Sequence, residues 1–293
     1  MNKIFKKVLC ATLATATLAG GAIAFGGCTT NRPEVEMQIS FNGKTYTLEY
    51  QLFRKLAPNT VEHFLVLAEN GYYNGVCVHD YTSSKWYTGG YTYDAAKEET
   101  GGLVYKDYFS IVSAYENKDF VSVWKDSEKA NPTYTLYGEF SANGMKMDKG
   151  DFLSQSFGSL SMVYEDKGDG EYDVYVDRVD GNGMRKMAYE KNSATSMFSI
   201  NLTSSGIDAS HATFATLKED FSGELTSLTS AVNAYIKANF PEGADDEDAP
   251  VFAEKYELEQ GLNDPFISEA ELTVEYEVPA MPIIIKSVKV LKY

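Results

Sequence analysis

The sequence predicts a mainly β domain, a barrel or sandwich of short strands with two helices packed against it. Three observations carry that expectation. Two runs that alternate apolar and polar residues open the domain around an Asn42-Gly43 turn. Only two later stretches place apolar residues at helical spacing, and the remainder reads as short runs rich in Tyr, Phe, Val and Thr.

Residues 1–27 are set apart from the fold. Lys3, Lys6 and Lys7 precede an apolar run from Val8 to Ala24, and Phe25-Gly26-Gly27 leads into Cys28. This is the pattern of a lipoprotein signal peptide, with Cys28 as the lipidated residue. The rival reading is an uncleaved transmembrane helix, for which a run of about 17 residues lies at the short limit. Lipidation implies an extracytoplasmic protein anchored to the membrane of a bacterial envelope, since acyl chains hold a protein to a bilayer. Residues 28–35 would be the tether and 36–293 the domain.

Charge and cysteine count narrow the classes. Removing Lys3, Lys6 and Lys7 takes the formal charge from −16 to −19, which argues against nucleic acid and against a polybasic grip on anionic lipid. With Cys10 in the signal and Cys28 lipidated, Cys77 is alone and no disulfide within the chain is expected.

Along the domain, Met37–Phe41 and Thr45–Phe53 read as the opening strands. Pro58 suits a first helical turn, Val61, Phe64, Leu65 and Ala68 continue it, and Gly71 stops it. Leu225, Leu228, Val232, Tyr235 and Ile236 mark the second helix, with Pro241 just past its end.

Several blocks then resemble one family in order. Ala57-Pro58-Asn59-Thr60-Val61-Glu62-His63-Phe64, Asn70 to Gly75, Val78-His79 and Gly89-Gly90 are similar to the N-terminal half of a cyclophilin. Gly138 to Gly144, Gly158 to Met162, Asn192 to Ile200, His211 to Phe214 and Pro282 to Val288 follow in register. The resemblance implies an eight-stranded antiparallel barrel capped by two α-helices, with inserted strands and loops. It also implies peptidyl-prolyl cis-trans isomerisation, acting on proline-containing peptide segments or unfolded extracytoplasmic proteins without a cofactor. An X-Pro bond turns over a barrier of about 18–20 kcal/mol. The family lowers it by donating from an arginine to the proline nitrogen as the amide twists.

Carried onto this sequence, the site departs from that pattern. The arginine follows the family's histidine, and here Asp80 follows His79. The Phe-Met pair of the proline pocket falls on Lys85 and Trp86, and the glutamine before the glycines on Thr88. After Met162 the pocket alanine becomes Val163, the Gln-Phe-Phe triplet becomes Met197-Phe198-Ser199, and the pocket tryptophan falls on Gly206, while His211 persists. An ionised carboxylate accepts hydrogen bonds and donates none, so isomerase activity is expected to be weak or lost. The alternative is a non-catalytic, lipid-anchored module that binds peptide or protein on the same scaffold.

Individual residues have competing readings. Lys85 is either a substitute donor or a solvated lysine; Asp80 is either protonated and buried or exposed and paired with Lys85; Trp86 is either core or an exposed anchor. His79, His211 and Cys77 lack metal-ligand spacing, and no serine is set beside a base. Two insertions stand out. Residues 91–133 are Tyr-rich and either cover the groove or add strands. Residues 166–191 read as a hairpin turning at Asp180-Gly181-Asn182-Gly183, and no calcium register fits them. The acidic run Asp245 to Asp248 reads as a solvated loop.

Overall fold

The computed structural model describes residues 30–114, 122–145, 152–164, 172–177, 182–240, 251–259 and 273–293. The chain is already tied down at Thr30, whose amide donates to the Tyr293 carbonyl at 2.9 Å while its carbonyl accepts from Arg54 Nη1 at 2.9 Å. Strand β1 (Glu34–Phe41) therefore begins inside the stretch that the sequence assigns to the tether. It turns through Asn42 (φ 44°) and Gly43 (φ 78°) into β2 (Lys44–Leu52), the left-handed pair that an Asn-Gly hairpin uses. Helix α1 (Pro58–Glu69) follows, with proline in its first turn. Its N-cap, Ala57, supplies no side-chain oxygen, so the buried carboxyl group of Glu139 takes over, its oxygens accepting the amides of Asn59 at 3.0 Å and Thr60 at 2.9 Å.

Strands β3 (Val76–Tyr81) and β4 (Lys85–Tyr93) form a bulged hairpin. The first insertion adds β5 (Leu103–Tyr105) at the edge of β4, then a short helix α2 (Phe109–Ala114) and β6 (Val123–Trp124). After β7 (Ser154–Gln155) and β8 (Leu160–Met162), the second insertion is the antiparallel pair β9 (Asp173–Asp177) and β10 (Met184–Ala188). Strand β9 also pairs with β6, so the two insertions meet in a small sheet of their own. Of the expected turn, Asp180 and Gly181 lie outside the described residues. Strands β11 (Phe198–Asn201), β12 (Gly206–Ile207) and β13 (Thr213–Leu217) lead to helix α3 (Ser222–Asn239), which buries Leu225, Leu228 and Val232. A hairpin absent from the sequence reading, β14 (Ala253–Glu259) and β15 (Thr273–Pro279), precedes the last strand, β16 (Ile284–Lys292). The run Asp245 to Asp248 lies outside the described residues.

Eight strands close the barrel in the order β11-β8-β13-β2-β1-β16-β3-β4, with β4 returning to β11. This is the expected eight-stranded antiparallel barrel. Closure leaves its strands without free edges, which removes a template for unwanted pairing. Trp86, Ile200, Leu160 and Ala215 form one inward row across β4, β11, β8 and β13, each 0–1% exposed. Helix α3 packs on β1 and β2, where Tyr235 meets the Phe41 ring edge-on at 5.6 Å.

Candidate functional site

Because successive strand residues face opposite ways, the row next to the inward one points away from the barrel core. Its members are Asp80, Tyr87, Ser199, Ser161 and Thr213, paired in that order across β3, β4, β11, β8 and β13. From Ser199 to Thr213 this row is polar, and all three side chains are buried. Ser161 Oγ lies 2.9 Å from Thr213 Oγ1 and accepts from Asn201 Nδ2 at 3.1 Å. Hydroxyls satisfied by their own hydrogen bonds along this row offer an apolar ring less transfer energy than an apolar row would.

At one end of the row stands Asp80. Its Oδ1 accepts the backbone amide of Glu277 at 3.1 Å, so the carboxylate ties β15 to β3. Burial raises the Asp80 pKa, partly offset by that amide, and the Glu277 charge raises it further. The pair with Lys85 expected from the sequence does not form among the described residues. In the ladder Asp80 stands opposite Tyr87, and Lys85 is two residues farther along, about 7 Å. The positive charge of Lys85 acts instead on Asp208. Asp208 is pushed up by burial but held below the usual carboxylate range by the Ser210 amide, His211 and Lys85. His211 Nδ1 lies 3.0 Å from Asp208 Oδ2, and Gln155 Nε2 donates to the same oxygen at 3.0 Å. Burial raises the Tyr87 pKa, and the charges of both Asp80 and Asp208 add to that, which sets the phenol between two carboxylates.

The other residues singled out from the sequence do not join this face. Trp86 and Met162 are inside the barrel core, the first of the two readings of Trp86 and a departure from the groove position expected of Met162. Thr88 is buried and donates to the Cys77 carbonyl at 2.8 Å. Met197 is buried with its side chain against Gly90. Val163 is partly exposed, and its amide donates to the Met197 carbonyl. His79 is buried between the rings of Tyr91 and Tyr276, at centroid distances of 5.0 and 4.9 Å, and burial lowers its pKa to about 3. It packs against Tyr91 and Tyr276 of a second apolar cluster and does not titrate near neutrality. Cys77 lies in that cluster, its thiol pushed up to about 12. At Gly206, where the resemblance sets the pocket tryptophan, an added Cβ would meet nothing within 4 Å. Beside it Ile207 is 53% exposed.

Sequence reasoning missed Tyr87, Ser161, Asn201 and Asp208. The alternation Lys85-Trp86-Tyr87 carried a signal for Tyr87, and the three-residue spacing carried one for Asp208 with His211. Gly89 is a position that only glycine fits: its φ is +94°, a Cβ would collide with the Ser196 carbonyl, and its own carbonyl accepts from Ser196 Oγ at 2.8 Å. No group of three potential metal ligands occurs among the described residues.

A barrel of this topology with a face across β3, β4, β11, β8 and β13 defines a class, and the sequence profile agrees. The profile of the cyclophilin-type peptidyl-prolyl cis-trans isomerase/CLD family matches residues 35–224. The chain belongs to that family. No curated protein matches it. Among solved structures it is similar to a cyclophilin-type peptidyl-prolyl cis-trans isomerase of Cryptosporidium parvum, at 15% identity over 89% of this chain and 99% of that one, with a TM-score of 0.42. The same values describe that isomerase in the presence of the dipeptide Ala-Pro. The Mimivirus cyclophilin is 13% identical over 91% of this chain and 93% of that one, with a TM-score of 0.38.

Proposed function

We propose that this chain is a lipoprotein of the cyclophilin type, anchored through Cys28 on the outer side of a bacterial membrane. It holds proline-containing segments of extracytoplasmic proteins, with X-Pro isomerisation weak or lost. The observation that carries the reading is Asp80. A twisting X-Pro amide localises a lone pair on nitrogen, and stabilising it needs a donor. The residue at the arginine's position is a carboxylate that accepts the Glu277 amide, and the row beside it is Ser199, Ser161 and Thr213. The lipid anchor rests on the sequence of residues 1–28, which lie outside the described residues.

The test is two-dimensional exchange NMR of a short Ala-Pro peptide with residues 30–293, which include every described element. We expect the exchange rate to stay within about tenfold of the protein-free control, about 1.4 kcal/mol of preferential binding, while peptide resonances broaden on binding. Acceleration by about a thousandfold would overturn the loss of activity. Absence of both acceleration and binding would overturn the peptide-holding role as well.

A further inference from the structure

Hairpin β14–β15 lies beyond the residues that the family profile matches, and it forms a pocket with the turn of the first insertion. The pocket measures about 220 Å³ and is walled by Tyr93, Glu98, Gly101, Gly102, Glu254 and Tyr256. Gly101 (φ +62°) and Gly102 (φ +86°) let the two tyrosines come close. A Cβ at the first would run into the Tyr256 ring, and one at the second into the Tyr93 ring. The Tyr256 hydroxyl donates to Glu254 Oε2 at 3.0 Å, which fixes that carboxylate. Lys97 and Lys255, the cations adjacent in sequence to Glu98 and Glu254, are engaged elsewhere. Lys97 pairs with Glu99 at 3.8 Å and Lys255 with Glu275 at 2.7 Å. Neither Glu98 nor Glu254 has an ion-pair partner among the described residues.

Two aromatic rings and two uncompensated carboxylates around one cavity fit an organic cation. The carboxylates attract its charge, and a ring face within about 6 Å adds to the attraction. Size restricts the ligand further, because drug-sized molecules occupy about 300–1,000 Å³ and this pocket is smaller. We propose that it takes the side chain of a lysine or arginine presented by a partner polypeptide. Arginine is the better fit, since a planar guanidinium stacks on a phenol ring while offering donors to both carboxylates. The inference does not depend on whether the groove isomerises proline, because none of the pocket residues belongs to the outward row.

The test is NMR titration of residues 30–293 with N-acetyl-arginine amide, N-acetyl-lysine amide, uncharged N-acetyl-norleucine amide and free spermidine. We expect saturable shifts at the Gly101 and Gly102 amides with the arginine and lysine amides and none with norleucine amide. The Glu98→Gln/Glu254→Gln double variant, altered at two exposed positions, should weaken binding by at least about tenfold with the rest of its spectrum unchanged. Equal shifts with norleucine amide would overturn the proposal. So would undiminished binding by the double variant, or saturation by spermidine alone.

Discussion

Replacing Asp80 separates a structural role from a catalytic one. Its Oδ1 accepts the Glu277 amide at 3.1 Å. A hydrogen bond to a charged acceptor contributes about 1.5–3 kcal/mol when dry, and partial exposure of Asp80 brings that to about 1 kcal/mol. Asp80→Ala should therefore speed hydrogen exchange at the Glu277 amide by about five- to tenfold. Asp80→Asn, which keeps the acceptor oxygen, should speed it by about twofold or less. Asp80→Arg loses the acceptor and places its guanidinium within reach of the Glu277 charge that already acts on Asp80. The new side chain is drawn toward β15, and the floor it would serve remains Ser199, Ser161 and Thr213. Exchange of an Ala-Pro peptide should then stay within about threefold of the unmodified protein. A rise of about a hundredfold, worth about 2.7 kcal/mol, with Glu277 still protected, would show that the groove keeps a working proline pocket and refute this reasoning.

Three further outcomes are expected. Between about pH 4.5 and 6.5 the folded chain keeps His63 and His79 neutral, since burial lowers them to about 4 and about 3, and keeps Glu139 protonated, since burial raises it to about 7. At about pH 5 to 6 the unfolded chain then binds about one proton more than the folded chain at these three groups, so they contribute a rise in stability of about 1.4 kcal/mol per pH unit. Glu139→Gln should double that slope in urea unfolding at pH 5 and 6, and an unchanged slope would assign Glu139 an ordinary titration. Trp86→Ala should cost about 3–5 kcal/mol in the same assay, while Lys85→Ala, one residue away on the outward face, should change stability by about 0.5 kcal/mol or less. Palmitate labelling of the full chain in a bacterial host should mark the unmodified protein and not Cys28→Ala, and equal labelling of both would remove Cys28 as the anchor.

How much could be read in advance follows from the range of each interaction. The Asn42-Gly43 turn and the Pro58 start of α1 are set by φ preferences of single residues, and both stand where the sequence places them. The closed barrel required the family resemblance, because β8 has three residues and β11 four, too few for a clear periodicity. Within the site, the family pattern placed Lys85, Trp86, Met162 and Met197 in one groove. Strand alternation divides them, sending Trp86 and Met162 into the core. The contact that decides the role of Asp80 joins residues 197 positions apart. The hairpin supplying it was not recognised, since its two strands are separated by residues 260–272, and their pairing is a property of the fold and not of either segment alone.

The same alternation explains how a barrel can keep its shape while its outer face changes chemistry. Trp86, Ile200, Leu160 and Ala215 are held by mutual packing, where a lost methylene costs about 1 kcal/mol or more. Tyr87, Ser199, Ser161 and Thr213 alternate with them on the same strands but contribute nothing to that interior. Their hydroxyls need only satisfy one another, as Ser161 does with Thr213 and Asn201. Asp80 shows the further step. With its carboxylate bonded to the Glu277 amide, the position has a structural reason to keep an acceptor, since a donor there would cost that hydrogen bond between β3 and β15, which also meet through the His79 and Tyr276 rings. The hairpin that Asp80 anchors is also one wall of the Tyr93 and Tyr256 pocket. Asp80 and the wall of the proposed arginine pocket are therefore linked through one hydrogen bond, and loosening β15 by Asp80→Ala should weaken binding of arginine amide at Gly101 and Gly102 even though Asp80 does not line that pocket.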